Sequence, residues 1–291
     1  MLIQLNSNSR VFLLDKPVGI SSFMALDNLK RTLGTAKVGH AGTLDPFATG
    51  LLVVLSGKLT KAAYLFSRMD KDYESVIRFG VETNTLDVEG KVVAEAPVPD
   101  FHTIKRIVDN YTGNIIQTPP AFSAVKINGD RSYRLAREGL EVDIPKRSIR
   151  IYSFRIIKWT PPNLRVHIRC SSGTYVRSLS RDIGIACDSR AFCYSLRRLS
   201  IGPFSVRDAM EPDRIDKTNG YGPVELAQLV RIPTVLLPDE VAEKLRMGVS
   251  LNRLKRWLPK IEAPTLCISS DKEALAMLDI KRGQLAYRIV F

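Results

Sequence analysis

The sequence predicts a fold that contains both α-helices and β-strands. Apolar and polar residues alternate strictly over the segment 164–170, which is typical of a half-buried strand. A different spacing, i, i+3, i+4, i+7, is typical of an amphipathic helix and is followed by Ile104, Ile107, Val108 and Tyr111. The chain of 291 residues is long enough for one large domain and a smaller one.

The first half of the chain predicts one helix and two strands before that amphipathic helix. Ser21 or Ser22 can cap a helix whose apolar residues recur every three or four positions and which ends at Gly34. The apolar run 51–55 indicates a buried strand. The segment 73–79 indicates a further strand.

The second half of the chain predicts two strands and then a helix. The segment 149–159 reads as a long strand that ends before a Pro-Pro pair. The alternating segment 164–170 comes next and has a basic outer edge formed by Arg165, His167 and Arg169. The spacing then becomes helical, which puts Tyr175 and Arg177 in a first helical turn. Sites often form at such a strand-to-helix junction.

The last segment predicts a short helix and a closing strand. Asp239 can cap the helix, and Gly248 can stop it. The residues 285–291 indicate a strand.

The charge of the chain favours a polyanionic partner. The net charge is +13, and the isoelectric point is about 9.7. Residues 146–207 hold thirteen Lys or Arg and only two acidic residues. A small RNA-binding module at the C-terminal end would fit this charge. The alternatives are a solvated basic surface without a ligand and, for the last segment, a structural cap packed on the main domain.

The cysteines and the apolar segments predict a cytoplasmic protein without a metal site. The four cysteines form no CxxC pair and no zinc-like spacing with the three histidines, so we expect buried thiols in a reducing compartment. No apolar run approaches the roughly 18 residues that a membrane span needs. The segment 1–6 lacks the features of a signal peptide.

The segment 39–50 is the first candidate site. It places one carboxylate, Asp45, and one histidine, His40, among small residues. Pro46 disfavours a helical conformation at Asp45, so we expect Asp45 on an extended loop ahead of the strand 51–55. A carboxylate held in this way suits a nucleophile or a general base. The alternative is a turn in which Asp45 caps a backbone amide.

Three further segments supply the groups that hold a flipped-out base: an aromatic ring, a cation and an apolar wedge. They are 70–74, where Tyr73 opens a strand, 172–177, with Tyr175 and Arg177, and 194–198, with Leu196. Each segment alone also fits a structural role.

Taken together, these segments resemble the bacterial tRNA pseudouridine-55 synthases of the TruB family over almost the whole chain. The matching motifs occur in family order and are 15–22, 39–50, 70–73, 119–126, 173–177 and 196–198 with 202–205. The resemblance implies an α+β pseudouridine synthase fold in residues 1–232, with a mixed, mostly antiparallel sheet flanked by helices. It also implies a small PUA-like RNA-binding β domain in residues 233–291. Asn84 departs from the acidic residue expected there, whereas Asp87 and Gly90 match.

The resemblance implies an isomerase that converts uridine 55 in the T loop of tRNA to pseudouridine. It makes Asp45 the catalytic residue and pairs Arg177 with it. Tyr73 would stack on the uracil and could accept or relay the C5 proton. The remaining substrate-contacting positions are Tyr175 and Leu196, which would line the pocket, and His40, which would pack against displaced nucleotides.

The reaction breaks the N1–C1′ bond, turns the uracil and rejoins it through C5. No redox step or group donor is needed, so we expect no cofactor. The expected partner is the T-arm stem-loop of tRNA, and the expected state is a monomer. The sequence leaves open whether Asp45 attacks the sugar, attacks the base or removes the C2′ proton. Two other functions stay open: a non-catalytic RNA-binding or tRNA-folding protein, and a glycoside hydrolase that uses Asp45 and Asp87.

Overall fold

The computed structural model describes residues 9–123, 126, 127, 130–133, 143–247, 249–254, 258 and 263–291. Within these residues the strands are β1 (Val11–Lys16), β2 (Val38–Ala41), β3 (Thr49–Ser56), β4 (Lys71–Phe79), β5 (Val81–Thr83), β6 (Val92–Glu95), β7 (Gly113–Gln117), β8 (Lys126–Ile127), β9 (Asp130–Arg131), β10 (Arg147–Thr160), β11 (Asn163–Cys170), β12 (Ala191–Ile201), β13 (Phe204–Ser205), β14 (Thr234–Leu236), β15 (Thr265–Ile268), β16 (Ala274–Lys281) and β17 (Gln284–Val290). The α-helices are α1 (Asp27–Leu33), α2 (Ala63–Ser67), α3 (Phe101–Asp109), α4 (Val176–Ala186), α5 (Pro223–Leu229), α6 (Asp239–Arg246) and α7 (Leu251–Leu254).

A nine-stranded mixed sheet forms the centre of the molecule. Its main path runs β1-β3-β12-β4-β11-β10-β7, with β2 paired to β3 and β13 paired to β12. The pairing of β12 with β3 is parallel, whereas the other strand pairs of this sheet are antiparallel. The predicted mixed, mostly antiparallel sheet is therefore confirmed.

Most predicted elements form where the sequence places them. The amphipathic helix is α3, which Asp100 caps by accepting a hydrogen bond from Thr103 N at 2.9 Å. The alternating segment is β11, and α4 follows it with Tyr175 as the N-cap residue. The helix that ends at Gly34 begins as a 3-10 turn, Met24–Leu26, before α1.

One capping prediction was wrong. Asp239 is the first residue of α6 rather than its cap, because Pro238 occupies the N-cap position. The Asp239 carboxylate instead accepts a hydrogen bond from Ser270 Oγ at 2.6 Å. The predicted stop at Gly248 lies outside the described residues.

The two faces of the main sheet differ in what covers them. Helices α3 and α4 pack on one face of β4, β11 and β10, with Ile104, Leu179 and Ile183 among the fully buried side chains. Tyr73 and Ile168 are register partners on this covered face. Because neighbouring residues of a strand point to opposite faces, the polar residues of β11 lie on the other face.

A second sheet, β14-β15-β16-β17, occupies the C-terminal part of the chain. Its side chains Leu266, Met277 and Ile289 belong to the same buried cluster as Leu59 and Phe66, which precede β4. The C-terminal sheet therefore shares a core with the rest of the molecule. The domain boundary at residues 232/233 stays a prediction.

The described helices include none that is long and apolar enough to cross a membrane. All four cysteines are buried free thiols, as the sequence predicts. In the described ranges, no cluster of three or more His, Cys, Asp or Glu side chains could hold a metal ion.

Candidate active site

Asp45 lies on the loop between β2 and β3, as predicted. The turn is closed by a hydrogen bond of 3.1 Å from Ala48 N to the carbonyl of Asp45. The chain then enters β3, whose residues 50–56 are all buried. This loop presents the Asp45 carboxylate beside the first turn of α4. Oδ2 of Asp45 lies 3.0 Å from Nε of Arg177, so the predicted pairing of these two residues is present.

The Arg177 guanidinium is buried and joins two carboxylates. Its Nη1 lies 3.1 Å from Oδ2 of Asp87. The same guanidinium donates to the carbonyl oxygens of Thr85 at 2.8 Å and Phe122 at 2.9 Å. The planar guanidinium donates hydrogen bonds in several directions at once, and a lysine ammonium could not reach the same acceptors in this geometry. Arg177 is thereby fixed before any substrate binds.

The charges around Asp45 act on its pKa in opposite directions. Burial raises the pKa of the Asp45 carboxyl, and the adjacent Arg177 guanidinium is the strongest of the groups that lower it. The Asp87 carboxylate raises this pKa further, because a second negative charge disfavours ionisation. Arg177 is therefore the group that most strongly favours the Asp45 anion, against the effect of burial.

The Asp87 carboxylate stabilises its own loop as well as contacting Arg177. It is 3% exposed, and its Oδ1 accepts hydrogen bonds from Thr85 Oγ1 at 2.6 Å and from Glu89 N at 3.0 Å. Asn84 closes the neck of this loop, because its Oδ1 accepts a hydrogen bond from Lys91 N at 2.9 Å. An amide oxygen makes this bond as well as an acidic residue would, so the unexpected Asn84 is compatible with a formed loop.

Tyr73 and Leu196 are diagonal neighbours on one face of the sheet, because Tyr73 pairs with Arg198 and Leu196 pairs with Ser75. They are on the adjacent strands β4 and β12, are each 8% exposed, and belong to the same buried cluster as Leu44. Burial raises the pKa of the Tyr73 phenol. The structure therefore brings together Asp45, Arg177, Tyr73 and Leu196.

Two buried cations, Lys16 and Arg198, hold the loop that carries Asp45. The family resemblance implies that Lys16 supports the active-site loops, whereas the sequence assigned no separate role to Arg198. Arg198 donates to the carbonyls of Leu51 at 2.7 Å and Gly42 at 2.8 Å, and its positive charge lowers the pKa of the Tyr73 phenol, against the effect of burial. Lys16 Nζ donates to three backbone carbonyls, those of Pro17, Ile20 and Pro46. Burial lowers the pKa of Lys16 to about 8. Strand alternation puts Leu196 and Arg198 on the same face, and this spacing is the signal in the sequence that could have indicated a buried Arg198.

His40 and Tyr175 stand at the margins of the site. The His40 ring meets Phe23 edge-on, with centroids 5.3 Å apart, and burial lowers the pKa of His40, which favours the neutral imidazole. Tyr175 is held by two backbone hydrogen bonds to the Gln117 side chain, at 2.9 and 3.1 Å. The guanidinium of Arg147 lies 5.5 Å from the centre of the Tyr175 ring.

The basic residues of β11 do not share this site. Arg165 and Arg169 lie on the face of the sheet opposite Tyr73, because their register partners on β4 are Val76 and Asp72. Arg165 also pairs with Glu74 through two nitrogens, at 2.8 and 2.5 Å. β11 is moreover an interior strand, between β4 and β10, and not the edge of the sheet. Arg165 and Arg169 therefore lie outside the site formed around Asp45 and Tyr73.

Comparison with known proteins places the chain in a family. The sequence model of the TruB family pseudouridylate synthase (N terminal domain) matches residues 30–176. The tRNA pseudouridine synthase B of Bordetella avium is 41% identical over 233 residues, which cover 78% of this chain and 95% of that protein. The chain belongs to the TruB family of pseudouridylate synthases. The corresponding synthase of Geobacillus thermodenitrificans is 35% identical over 285 residues, covering 92% of this TruB-family chain and 93% of the relative.

Solved structures show that the fold of this TruB-family chain is shared more widely. A chain in the crystal structure of a Cbf5–Nop10–Gar1 complex superposes with a TM-score of 0.67 at 20% identity. The superposition covers 100% of this chain and 85% of that one. The common architecture thus includes the C-terminal sheet, and the predicted α+β pseudouridine synthase fold is confirmed.

Proposed function

We propose that this protein isomerises uridine 55 in the T loop of tRNA to pseudouridine, with Asp45 as the catalytic residue. The observation that carries the proposal is the Asp45–Arg177 pair, with 3.0 Å between Oδ2 and Nε, beside a buried tyrosine and leucine. Membership of the TruB family supports the reaction, and the names of the relatives support tRNA as the substrate.

The site suits a base that leaves the RNA helix. A uridine inside a stacked loop is out of reach for a carboxylate, so the target nucleotide must be extruded into a pocket. Tyr73 offers an aromatic face, and Leu196 offers an apolar wall on the neighbouring strand. Asp45 supplies the negative charge, and its side chain remains 37% exposed, so it stays accessible to a substrate.

Each residue of the site has a role in this proposal. Asp45, held as an anion by Arg177, acts on the nucleotide while the N1–C1′ bond breaks and the C5–C1′ bond forms. Tyr73 stacks on the uracil and accepts or relays the proton that leaves C5, while N1, freed from C1′, takes up a proton. Tyr175 and Leu196 bound the pocket, and His40 packs against nucleotides displaced by the extrusion.

Two competing functions fit the geometry less well. A glycoside hydrolase needs a second carboxyl group free to act on the bond or on water, but both oxygens of Asp87 already contact Arg177 or its own loop. A non-catalytic RNA-binding protein would not need a carboxylate kept anionic by a buried arginine. Binding alone is served by exposed cations and aromatic rings.

The RNA path also forms part of the proposal. Arg147 and Tyr175 combine a cation with a ring at the margin of the site, which suits a phosphate and a neighbouring base. We place the T-arm stem-loop along this side and assign residues 233–291 to a PUA-like domain that contacts a more distant part of the tRNA. The protein acts as a monomer and without a cofactor in this scheme.

Incubation of the protein with a tRNA transcript, followed by mapping of pseudouridine, tests the proposal. We expect pseudouridine at position 55, and no pseudouridine there in a transcript with cytidine at position 55. Binding of the transcript without any isomerisation would support the RNA-binding alternative. Release of free uracil would support the hydrolase.

A further inference from the structure

The segment between β1 and α1 exposes an unusual set of apolar side chains. Val18, Phe23 and Met24 are 64%, 66% and 59% exposed. Single exposed apolar residues are common on protein surfaces, whereas several in one short segment indicate a binding surface. We refer to these three side chains as the apolar rim.

The segment that carries the apolar rim is tied to the catalytic loop. Gly19 N donates to the carbonyl of Pro46 at 2.9 Å. Ser22 Oγ donates to the carbonyl of Leu44 and accepts from Leu44 N, both at 2.9 Å. The buried ammonium of Lys16 further joins the carbonyls of Ile20 and Pro46, at 2.7 and 3.3 Å. These bonds reach the residues on both sides of Asp45, so the rim keeps a fixed position relative to the catalytic carboxylate.

The exposed ring of Phe23 is held in place by His40. The two rings meet at an interplanar angle of 79° with centroids 5.3 Å apart, which is the favoured edge-to-face arrangement. His40 is half-buried, and its lowered pKa favours the neutral ring. Phe23 is thus oriented from beneath by an aromatic neighbour, while two thirds of its surface stays open to solvent.

We infer that Phe23 is an RNA-binding residue that stacks on an unpaired base next to the extruded uridine, with Val18 and Met24 enlarging the contact. The inference rests on the proposed function, because it takes the RNA loop as the molecule that reaches Asp45. The occupant is argued from continuity with the catalytic loop and from charge. A chain with a net charge of +13 attracts a polyanion, and the faces of unstacked bases are the part of RNA that an apolar ring binds.

The size of the effect follows from base stacking. Removal of an aromatic ring that stacks on a base typically lowers affinity by about 5- to 150-fold. The stacking contact is made by the ring face, so a tryptophan at position 23 should preserve it, whereas an alanine should not. Because the Phe23 side chain is mostly exposed, its replacement should leave the fold intact.

The test measures binding of a T-arm stem-loop to proteins that all carry Asp45→Asn, so that turnover does not interfere. We expect Phe23→Ala to weaken binding by about 5- to 150-fold and Phe23→Trp to bind as tightly as the parent. The matched control is Phe101→Ala, which removes an exposed phenylalanine, 43% accessible, from the start of α3 and should leave binding unchanged.

A second RNA shows whether Phe23 acts through a base. Two stem-loops are compared, each of which lacks the base on one side of position 55. In the stem-loop that lacks the base contacted by Phe23, Phe23→Ala should have no further effect on affinity. Equal binding of Phe23→Ala and its parent to the intact stem-loop would overturn the inference. An equal loss in Phe101→Ala would also overturn it, because the effect would not be specific to the rim. The proposed function is tested independently of this inference, because the binding comparison requires no turnover. Absence of pseudouridine in an assay of the wild-type protein would contradict the proposed function alone.

Discussion

At the scale of single residues, the main feature is the partly buried carboxylate of Asp45, which the proposed reaction requires as an anion. Burial of an unpaired charge is costly, and the structure offsets this cost with Arg177 at 3.0 Å from Asp45. The arginine is itself fixed by Asp87 and by the carbonyls of Thr85 and Phe122. The geometry of the pair is therefore set by the fold before the substrate arrives.

Replacement of Arg177 by lysine tests this arrangement. The lysine keeps a positive charge but loses the fork that contacts several acceptors, so we expect turnover to fall by about 10- to 150-fold, the equivalent of one charge-assisted hydrogen bond. Binding of tRNA should change much less, because phosphate contacts supply most of the affinity. Single-turnover rates and a filter-binding assay measure the two effects. A lysine variant with the wild-type rate would show that the Arg177 geometry is unnecessary.

The same variant should also shift the pH dependence of the rate. In the proposed mechanism the active form of Asp45 is the anion. Burial raises the pKa of Asp45, and Arg177 lowers it. A weaker contact at position 177 leaves the pKa higher, so the acid side of the pH–rate profile should move towards higher pH. Rates measured as a function of pH for the wild type and the variant compare the acid sides of the two profiles. An unchanged or lower apparent pKa would contradict the assigned role of Arg177.

The residues of the site differed in how far the sequence could predict them. Pro46 and the strand that follows put Asp45 on a loop, and the family motif named Arg177 as its partner. The structural task of Arg198 was not predicted, because charged residues on a strand usually read as solvent-exposed. Its partners are backbone carbonyls of Gly42 and Leu51, and no side-chain pattern in the sequence reports the position of a carbonyl.

At the scale of elements, strand alternation decides which cations share a face of the sheet with Tyr73. The alternation of β11 was predicted correctly from residues 164–170. Which of its two faces lies on the side of Tyr73 and the site, however, depends on which face α4 covers. Since α4 packs on the side of Ile168, Arg165 and Arg169 face away from Tyr73. Which side carries the helices is a property of the chain topology, which local periodicity does not contain.

The two classes of arginine should differ in their effect on salt dependence. Arg147, beside Tyr175, is expected to contact a phosphate, so Arg147→Gln should lower the slope of log K against log salt by about 0.7 to 0.9. Arg165 pairs with Glu74 on the opposite face, so Arg165→Gln should leave the slope unchanged. Binding measured from low to moderate salt compares them. A reduced slope in the Arg165 variant alone would place the RNA on the other face of the sheet.

At the scale of the whole molecule, the C-terminal sheet is joined to the main sheet by a common core. Met277 and Ile289 are buried in one cluster with Leu59 and Phe66. The sequence predicts the strand 285–291 and leaves open that the last segment packs on the main domain. It does not predict which side chains meet, because the contacts connect residues more than 200 positions apart. Deletion of residues 233–291 would expose these apolar side chains, so the role of this part in RNA binding is tested better by surface substitutions than by truncation.

A core substitution in the C-terminal sheet should therefore destabilise the entire protein. Met277 is fully buried, and Met277→Ala should reduce the free energy of unfolding by about 2 to 5 kcal/mol. Met247 is 73% exposed, so Met247→Ala should change it by less than about 0.5 kcal/mol. Calorimetry should show one transition that moves as a unit. Two transitions, with only one of them shifted by Met277→Ala, would contradict a shared core.

The activity of Asp45→Asn on a full tRNA transcript tests whether Asp45 is the catalytic residue. The amide keeps the size of the side chain but removes the negative charge that Arg177 stabilises. We predict that pseudouridine formation at position 55 is abolished, while the affinity for tRNA stays within about tenfold of the wild type, because binding depends mainly on phosphate contacts. Turnover by Asp45→Asn near the wild-type rate would contradict the assignment of Asp45 as the catalytic residue.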